Sequence, residues 1–367
     1  MIVGAGIAGL ALAAALRRRG RCVDIVERAA EPPASGAGLY LLGGTTRALR
    51  VLGLGDAFVA AGQIIDTQTF FNHRGHRLAE IDVGRYWADC GPCLGVTHTA
   101  LHRALAEKAG TDVRFGFNVQ SLTQNDEQVS VRFGDGSTAS YDFVIGADGI
   151  RSSVRQLAFG GSQPRYRGQT GWRFLVHRAV GVDGWTVFLG ADRAFLVVPV
   201  GAECAYCYAD HVVDLQSEHP PDRHIEYLKD LFDDFPQPVR KVLDSLDVTN
   251  RIHCAPIEEV AYQPLGQGRI ALIGDAAHAM SPNMACGVML ALEDSLVLSD
   301  VLCEDLTVSR VVPEFARRRS TRIEWTRLQT EKRDRMRSLP ALIRDLSLRL
   351  FMTQIYHANY RPLLVPV

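Results

Sequence analysis

The chain has 367 residues, 47% of them hydrophobic, with 40 basic side chains against 41 acidic ones. That length and apolar share suffice for a large core and for two interleaved domains. The near-neutral balance argues against a general nucleic-acid binder, whose affinity rests on surplus positive charge.

The opening stretch "MIVGAGIAGLALAAALRRRG" is neither a leader nor a membrane span. A secretion signal carries its positive charge ahead of the apolar run, whereas Arg17, Arg18 and Arg19 follow it and Gly4, Gly6 and Gly9 interrupt it. From Ile2 to Leu16 the run is also shorter than the ~20 residues needed to cross a bilayer. What remains is a short strand, the glycine turn "GAGIAG", a helix from Leu10 to Arg19, a break at Gly20 and a second strand "CVDIVE" ending in Glu27. Gly4 permits the tight turn, Gly6 lets a pyrophosphate approach the backbone, and Gly9 lets the helix pack on the strand. The helix N-terminus turns free N–H groups toward phosphate. Glu27 lies 18 residues beyond Gly9, the spacing of an acid that accepts ribose hydroxyls. The pattern is that of a dinucleotide site, and its very short first strand points to native residues upstream of Met1.

Further along, "EPPASGAGLYLLGG" reads as a loop and "TTRALRVLGLGDAFVAAG" as a helix ending at glycine. Residues 68–83 alternate like a strand pair turning at Arg74 and Gly75. "CGPC", Cys90 to Cys93, has the spacing of a redox motif, but the following "LGVTH" reads as extended, without the helix N-terminus that lowers a thiol pKa. "TALHRALAEKAG" is a capped amphipathic helix, and residues 113–144 read as strands joined at Asn125–Asp126 and Asp135–Gly136. "FVIGADGIRSSVR" then sets a buried strand before a glycine-bounded acid and a helix carrying Arg151 and Arg155.

From position 165 the character changes to consecutive aromatic-rich strands, "YRGQTGWRFLVHRAV", "WTVFLG", "RAFLVVPV" and "CAYCYADHVV", typical of a platform. Cys204 and Cys207 in the last of these point to opposite faces and cannot share a metal. A helical stretch spans Asp222 to Leu246, "GRIALIGDAAHAMSPNMACGVMLALEDSLVLSDVL" is a third glycine-and-acid motif running into a helix, and the region from Pro313 is helical and arginine-rich. Eight cysteines without a signal peptide imply free thiols in a reducing compartment, hence a cytoplasmic chain. The basic segment near the C-terminus has its charges spread around the helix, the pattern of a solvated helix without stable membrane association.

"GAGIAG", "GADGIRSSVR" and "IGDAAHAMSPN", in this order, resemble the class A flavoprotein monooxygenases of the para-hydroxybenzoate hydroxylase fold. The resemblance implies an α/β fold in which a Rossmann-like FAD-binding domain (1–67, 95–164 and 255–312) surrounds a mostly antiparallel β-sheet substrate domain (68–94 and 165–254), followed by C-terminal helices (313–367). It implies FAD as cofactor, NADH or NADPH as transient reductant, and O2 activated as a flavin C4a-hydroperoxide that transfers one oxygen to an aromatic or polyketide-like small molecule. A monomer or homodimer is expected.

Residue by residue, Gly4, Gly6, Ala8, Gly9, Glu27 and Arg28 would hold the ADP half of FAD, with Gly38, His98 and Arg103 nearby. Asp148, Gly149 and Arg151 match a motif contacting FAD phosphate and NAD(P)H. Gly274 and Asp275 would meet the ribityl chain, and Pro282, Gly287 and Val288 would line the isoalloxazine. Asp148 and Asp275 are equally placed to cap helices. His98 stands where such proteins usually carry an arginine, and a histidine is neutral over much of the physiological range. Ala285-Cys286-Gly287 replaces the usual Gly-Gln-Gly, leaving Cys286 as inert packing or an attachment point. Arg193, Tyr206, Arg173 and His211 are the substrate candidates. In urate-hydroxylase-like relatives an arginine before a "VVPV"-type strand and a tyrosine in the next strand meet the substrate; Arg193 is near that register and Tyr206 matches it. The alternatives are an FAD-dependent dehydrogenase, a halogenase-like enzyme, whose signature "GWRFLV" does not match, or a non-catalytic relative.

Overall fold

A computed structural model describes residues 1–32, 37–161, 163–177, 181–214, 220–261 and 263–367. The strand Ile2–Val3 leads into Gly4, whose φ of +107° turns the chain where other residues would be strained. The helix Ile7–Arg18 begins three residues before its expected start, because extended Gly6 already acts as its N-cap. A Cβ at Gly9 would lie 2.0 Å from the Gly4 carbonyl oxygen, so only glycine lets this helix sit so close to its strand. Among the described residues one sheet runs in the order Gly266–Gln267, Ile270–Leu272, Val144–Gly146, Ile2–Val3, Ile25–Glu27 and Val113–Phe115, parallel except at its first pair. The three motif strands are neighbours, so their following loops open at one end, where ligands of such sheets bind.

The second large sheet has seven strands, in the order His253–Glu259, Arg165–His177, Cys204–Val212, Arg193–Pro199, Trp185–Leu189, Thr67–Asn72 and Arg77–Asp82. Its edge strand His253–Glu259 crosses the boundary drawn at 254/255 and pairs with Arg165–His177. The period-two alternation of a strand sorts its side chains onto two faces. Trp172, Phe174, Phe195, Val197, Cys207 and Ala209 form one cluster, covered by the helices His224–Leu231 and Gln237–Asp244. Val187, Ala194, Val198, Tyr206 and Tyr208 belong instead to the core shared with the FAD-motif sheet. We call these the back and front faces.

Three elements differ from expectation for local reasons. The helix expected after residue 44 is two, Gly43–Val51 and Gly55–Ala61, broken where Gly53 adopts φ +72°. The stretch from Asp222 to Leu246 is likewise two helices, Pro236 capping the second. The long helix Val308–Arg337 starts ahead of Pro313 and takes it into its second turn. Across the front of the platform, Arg337 pairs with Asp210 and Arg344 with the Gly190 carbonyl, which anchors the C-terminal helices there. Among the described residues no helix is long and apolar enough to cross a membrane.

Candidate functional site

The three motif loops touch one another. A Cβ on Gly4 would lie 2.4 Å from the Ala147 oxygen in the second motif, and one on Gly274 would meet the Ala8 Cβ at 3.0 Å. The Ser295 hydroxyl, on the helix Gly287–Cys303, donates to the Ala8 carbonyl at 2.9 Å. By contrast, a Cβ at Gly6, Gly149 or Gly287 would find nothing within 4 Å, so in each loop a bare stretch of backbone is left approachable. Pro282 and Gly287 are exposed and Val288 half-buried beside them.

Glu27 stands at the end of its strand with Oε2 accepting from the Ala5 N–H and Oε1 from the Ala29 N–H, both at 2.9 Å. The first bond ties the acid to the glycine turn. A carboxylate offers about four acceptor sites, so two bonds leave capacity for ribose hydroxyls. Replacing Glu27 by arginine removes every acceptor, and FAD should bind at least about tenfold more weakly, about 1.4 kcal/mol, with unchanged circular dichroism. An unchanged FAD titration would remove Glu27 from the site.

His98 opens the helix His98–Ala109 and stacks on His102 at 6.3 Å between ring centroids, while His102 Nε2 lies 2.8 Å from the Ala5 oxygen. Burial, helped by the neighbouring His102, lowers the His98 pKa and favours the neutral ring. Its Nδ1 is buried with no partner among the described residues, an orphaned polar atom beside the glycine turn. Arg28 is exposed, and Arg103 points to solvent with Glu107 4.0 Å away. Gly38 is elsewhere again: a Cβ there would strike the Tyr206 Cβ at 2.3 Å, so this glycine lets the platform close on the FAD-motif half.

Ser152 is the N-cap of the helix Ser153–Phe159, accepting from the Arg155 N–H at 3.0 Å, and Asp148 braces that end. Asp148 accepts from the Ser153 N–H at 2.7 Å and from both the Ser152 and Ser153 hydroxyls. Arg151 lies before the helix Ser153–Phe159 and reaches Glu258 on the platform at 2.7 Å. Arg155, fully buried, donates to the Ala276 carbonyl at 2.8 Å and so fastens the second motif to the third. Among the described residues Asp275 accepts no such bond. Its side chain is open to solvent on the loop side while protein crowds it elsewhere, and that crowding raises its pKa against the pull of His278. Cys286 is buried, 3.3 Å from the Met284 carbonyl, and burial pushes its thiol well up, which favours inert packing over reactivity. Cys90 and Cys93 are buried too, the latter pushed to about 12, opposite to what a redox pair requires.

Sequence reading missed the support under the third motif. Asp294 accepts from the Gly274 N–H at 2.9 Å, from Arg319 at 2.8 Å, and meets His278 Nε2 at 2.6 Å; Arg319 also reaches Glu293 at 2.9 Å. All four side chains are buried. The available signal was the Glu293-Asp294 pair inside an otherwise apolar helix.

On the platform the four substrate candidates separate. Arg173 and Tyr208 are cross-strand partners, with the guanidinium 5.2 Å from the ring centroid, and the positive charge of Arg173 is close enough to Tyr206 to act on its hydroxyl. Burial, opposed by Arg173, pushes the Tyr206 hydroxyl up to about 12. These residues are on the front face; Asp334, on the helix Val308–Arg337, accepts from Ser281 in the third motif at 3.1 Å. Arg193 and His211 pair with each other in register but lie on the back face. Arg193 is held by Asp192 at 2.9 Å and Asp234 at 3.0 Å, and His211 Nδ1 meets the Tyr227 hydroxyl at 2.9 Å. The expectation that Arg193 and Tyr206 face one ligand together is therefore corrected. A single-residue offset in a strand reverses the face, and the front-facing neighbour of Arg193 is Ala194.

A family model described as an FAD binding domain matches residues 1–311. The chain belongs to this FAD-binding family. The flavoprotein is 32% identical to aurachin C monooxygenase/isomerase of Stigmatella aurantiaca over 328 residues, 88% of this chain and 85% of that protein. It is 30% identical to the FAD-dependent urate hydroxylase of Klebsiella pneumoniae over 343 residues, 91% of this chain and 88% of that one. The crystal structure of Klebsiella pneumoniae HpxO complexed with FAD and uric acid superposes with a TM-score of 0.91 at 27% identity, covering 100% of this chain and 97% of that one. The fold is that of these hydroxylases, and the flavoprotein is an FAD-dependent monooxygenase.

Proposed function

We propose that this flavoprotein, reduced by NADH or NADPH, adds one oxygen atom from O2 to a flat aromatic or heteroaromatic ring held against the front face of the platform by Arg173 and Tyr206. The observation that carries this reading is the Arg173–Tyr206–Tyr208 group, turned toward the three FAD motifs. The residues fit FAD: Glu27 for the ribose, the bare backbones of Gly6 and Gly149 for phosphate, Asp275 for ribityl hydroxyls and the Pro282–Val288 stretch for the ring system. Bound FAD supplies the redox chemistry, passing electrons from the nicotinamide to O2. Relatives named for urate and for a 2-heptyl-3-hydroxy-4(1H)-quinolone support a flat ring as the substrate class.

The protein's own part is positioning. Raised to about 12, the Tyr206 hydroxyl keeps its proton at neutral pH and donates a hydrogen bond to a ring oxygen. Arg173 favours the anionic form of an ionisable ring substituent and thereby an electron-rich ring. Leu196 and Val187, in the same cross-strand row, present apolar surface beside that polar end and help exclude water. Arg173→Ala and Tyr206→Phe should lower the ratio of product formed to NAD(P)H consumed by about tenfold and severalfold, from loss of a charged and a neutral hydrogen bond. Arg193→Ala, on the back face, should leave it within twofold. FAD content is held equal throughout. If Arg193→Ala uncouples as strongly as Arg173→Ala, the substrate is held elsewhere.

A further inference from the structure

The loop at 280–285, which leads into the flavin-lining stretch, is braced by one face of the helix Val308–Arg337. Thr330 donates to the Met280 sulfur at 3.6 Å, Arg333 donates to the Tyr360 hydroxyl at 2.9 Å, and that hydroxyl donates to the Met284 carbonyl at 3.0 Å. Asp334 accepts from Ser281, at 3.1 Å, and from Asn283, the residues on either side of Pro282. The loop also carries strain: among the described residues Ala285 is the only non-glycine at positive φ, +50°. A side chain persists in that region where its surroundings over-determine the backbone. Positions 330, 333, 334 and 337 share one helix face. Arg337 continues the row to the platform, where it donates to Asp210 at 2.6 Å. Asp210 is fully buried and follows Tyr206 and Tyr208 at two-residue steps, so the three share the front face. Its neighbours in register are Gly171 and Ala194, which leave room for a guanidinium.

We propose that the helical turn 334–337 is a strut that fixes the gap between the flavin ring and the substrate ring, with Asp334 and Arg337 as positioning residues. This rests on the front-face reading given above. One end grips the loop at 281–283, and the other grips the strand that carries Tyr206 and Tyr208. Both side chains act through the groups they hold. Reacting atoms must stand about 3–3.5 Å apart, and a displacement of about 1 Å can cost about a hundredfold. A tie across the two halves therefore governs how often oxygen reaches the ring. The clamp at Asp334 works by hydrogen-bond acceptance, since Ser281 and Asn283 are neutral donors. Arg167, 3.9 Å from Asp334, is already bound to Glu259 at 3.3 Å.

The FAD-loaded full chain tests this through Asp334→Ala, Asp334→Asn and the pair Arg337→Met/Asp210→Leu, which cuts the platform end without baring a buried charge. Asp334→Ala should change the visible circular dichroism of bound flavin with no substrate present. It should also lower the ratio of product to NAD(P)H consumed about fivefold, with KM within about twofold, because misplacement acts on the transfer step. Asp334→Asn keeps an acceptor for both donors and should match wild type in both readings. Cutting both ends at once should uncouple no further than cutting one, because coupled residues are not additive. The flavin band is read without substrate, so it tests the strut even where Arg193→Ala uncouples and the ring proves to be held elsewhere. An unchanged flavin band in Asp334→Ala, an Asp334→Asn variant as damaged as Asp334→Ala, or losses that multiply when both ends are cut would each overturn the proposal.

Discussion

Asp275→Ala is expected to leave a folded chain that no longer retains FAD. Asp275 is exposed at the third motif and makes no hydrogen bond among the described residues, while its neighbours Gly274 and His278 are both pinned by Asp294. Protein crowding already raises its carboxyl, so the group stands in surroundings where a lost hydrogen-bond partner is felt. Removing it would leave cofactor hydroxyls unpaired, at about 2 kcal/mol or more, which is about a thirtyfold loss of affinity. Because Asp275 makes no hydrogen bond or ion pair among the described residues, thermal stability of the apoprotein should hardly change. FAD affinity within twofold of wild type would exclude the residue from the site.

Arg319→Met should act on the fold first and on FAD second. It strips the partner from two buried carboxylates, Asp294 and Glu293, and an uncompensated buried charge costs about 3–5 kcal/mol. In a chain of this size the midpoint of thermal unfolding should fall by about 5 °C. The loop from Gly274 to His278 should loosen, because Asp294 orients both its ends. The same network has a pH signature. Burial alone would raise the Asp294 carboxyl, but His278 and Arg319 bring it below its ordinary value. A depressed carboxyl contributes stability that is present above the unfolded pKa of about 3.9 and is lost as pH falls through the lower folded value. Wild type should therefore lose this stability only in strong acid, and Arg319→Met should have less to lose there. A variant whose unfolding midpoint matches wild type at neutral pH would show the network to be dispensable.

What could be read from sequence divides by the range of the interaction. Gly4, Gly6, Gly9 and Glu27 are legible because a turn, a close approach and a strand-end acid are imposed within one βαβ unit. The platform was legible as strands from its aromatic and β-branched runs, but not the face of each residue. Arg193 sits one position from Ala194, and the pattern of Arg193, Phe195 and Val197 against Ala194, Leu196 and Val198 offers two nearly equal apolar faces. Which one meets the FAD half depends on the helices His224–Leu231 and Gln237–Asp244 covering the other. The Asp294–Arg319 pair spans 25 residues and two helices, and Asp210–Arg337 spans 127. No local pattern announces such pairs. Arg155 reads as an ordinary helical arginine until the Ala276 carbonyl, 121 residues away, is seen to receive it.

The measurement closest to the central claim is oxygen incorporation. The FAD-loaded chain is supplied with NADH or NADPH under 18O2 and screened against flat phenolic, quinolone and purine-like rings, and any product is weighed by mass spectrometry. The expected product is heavier by one 18O atom, formed in proportion to nicotinamide oxidised, and lost in Arg173→Ala while that variant still oxidises NAD(P)H. A product that carries its new oxygen from water, or a turnover that oxidises substrate without adding oxygen, would contradict it.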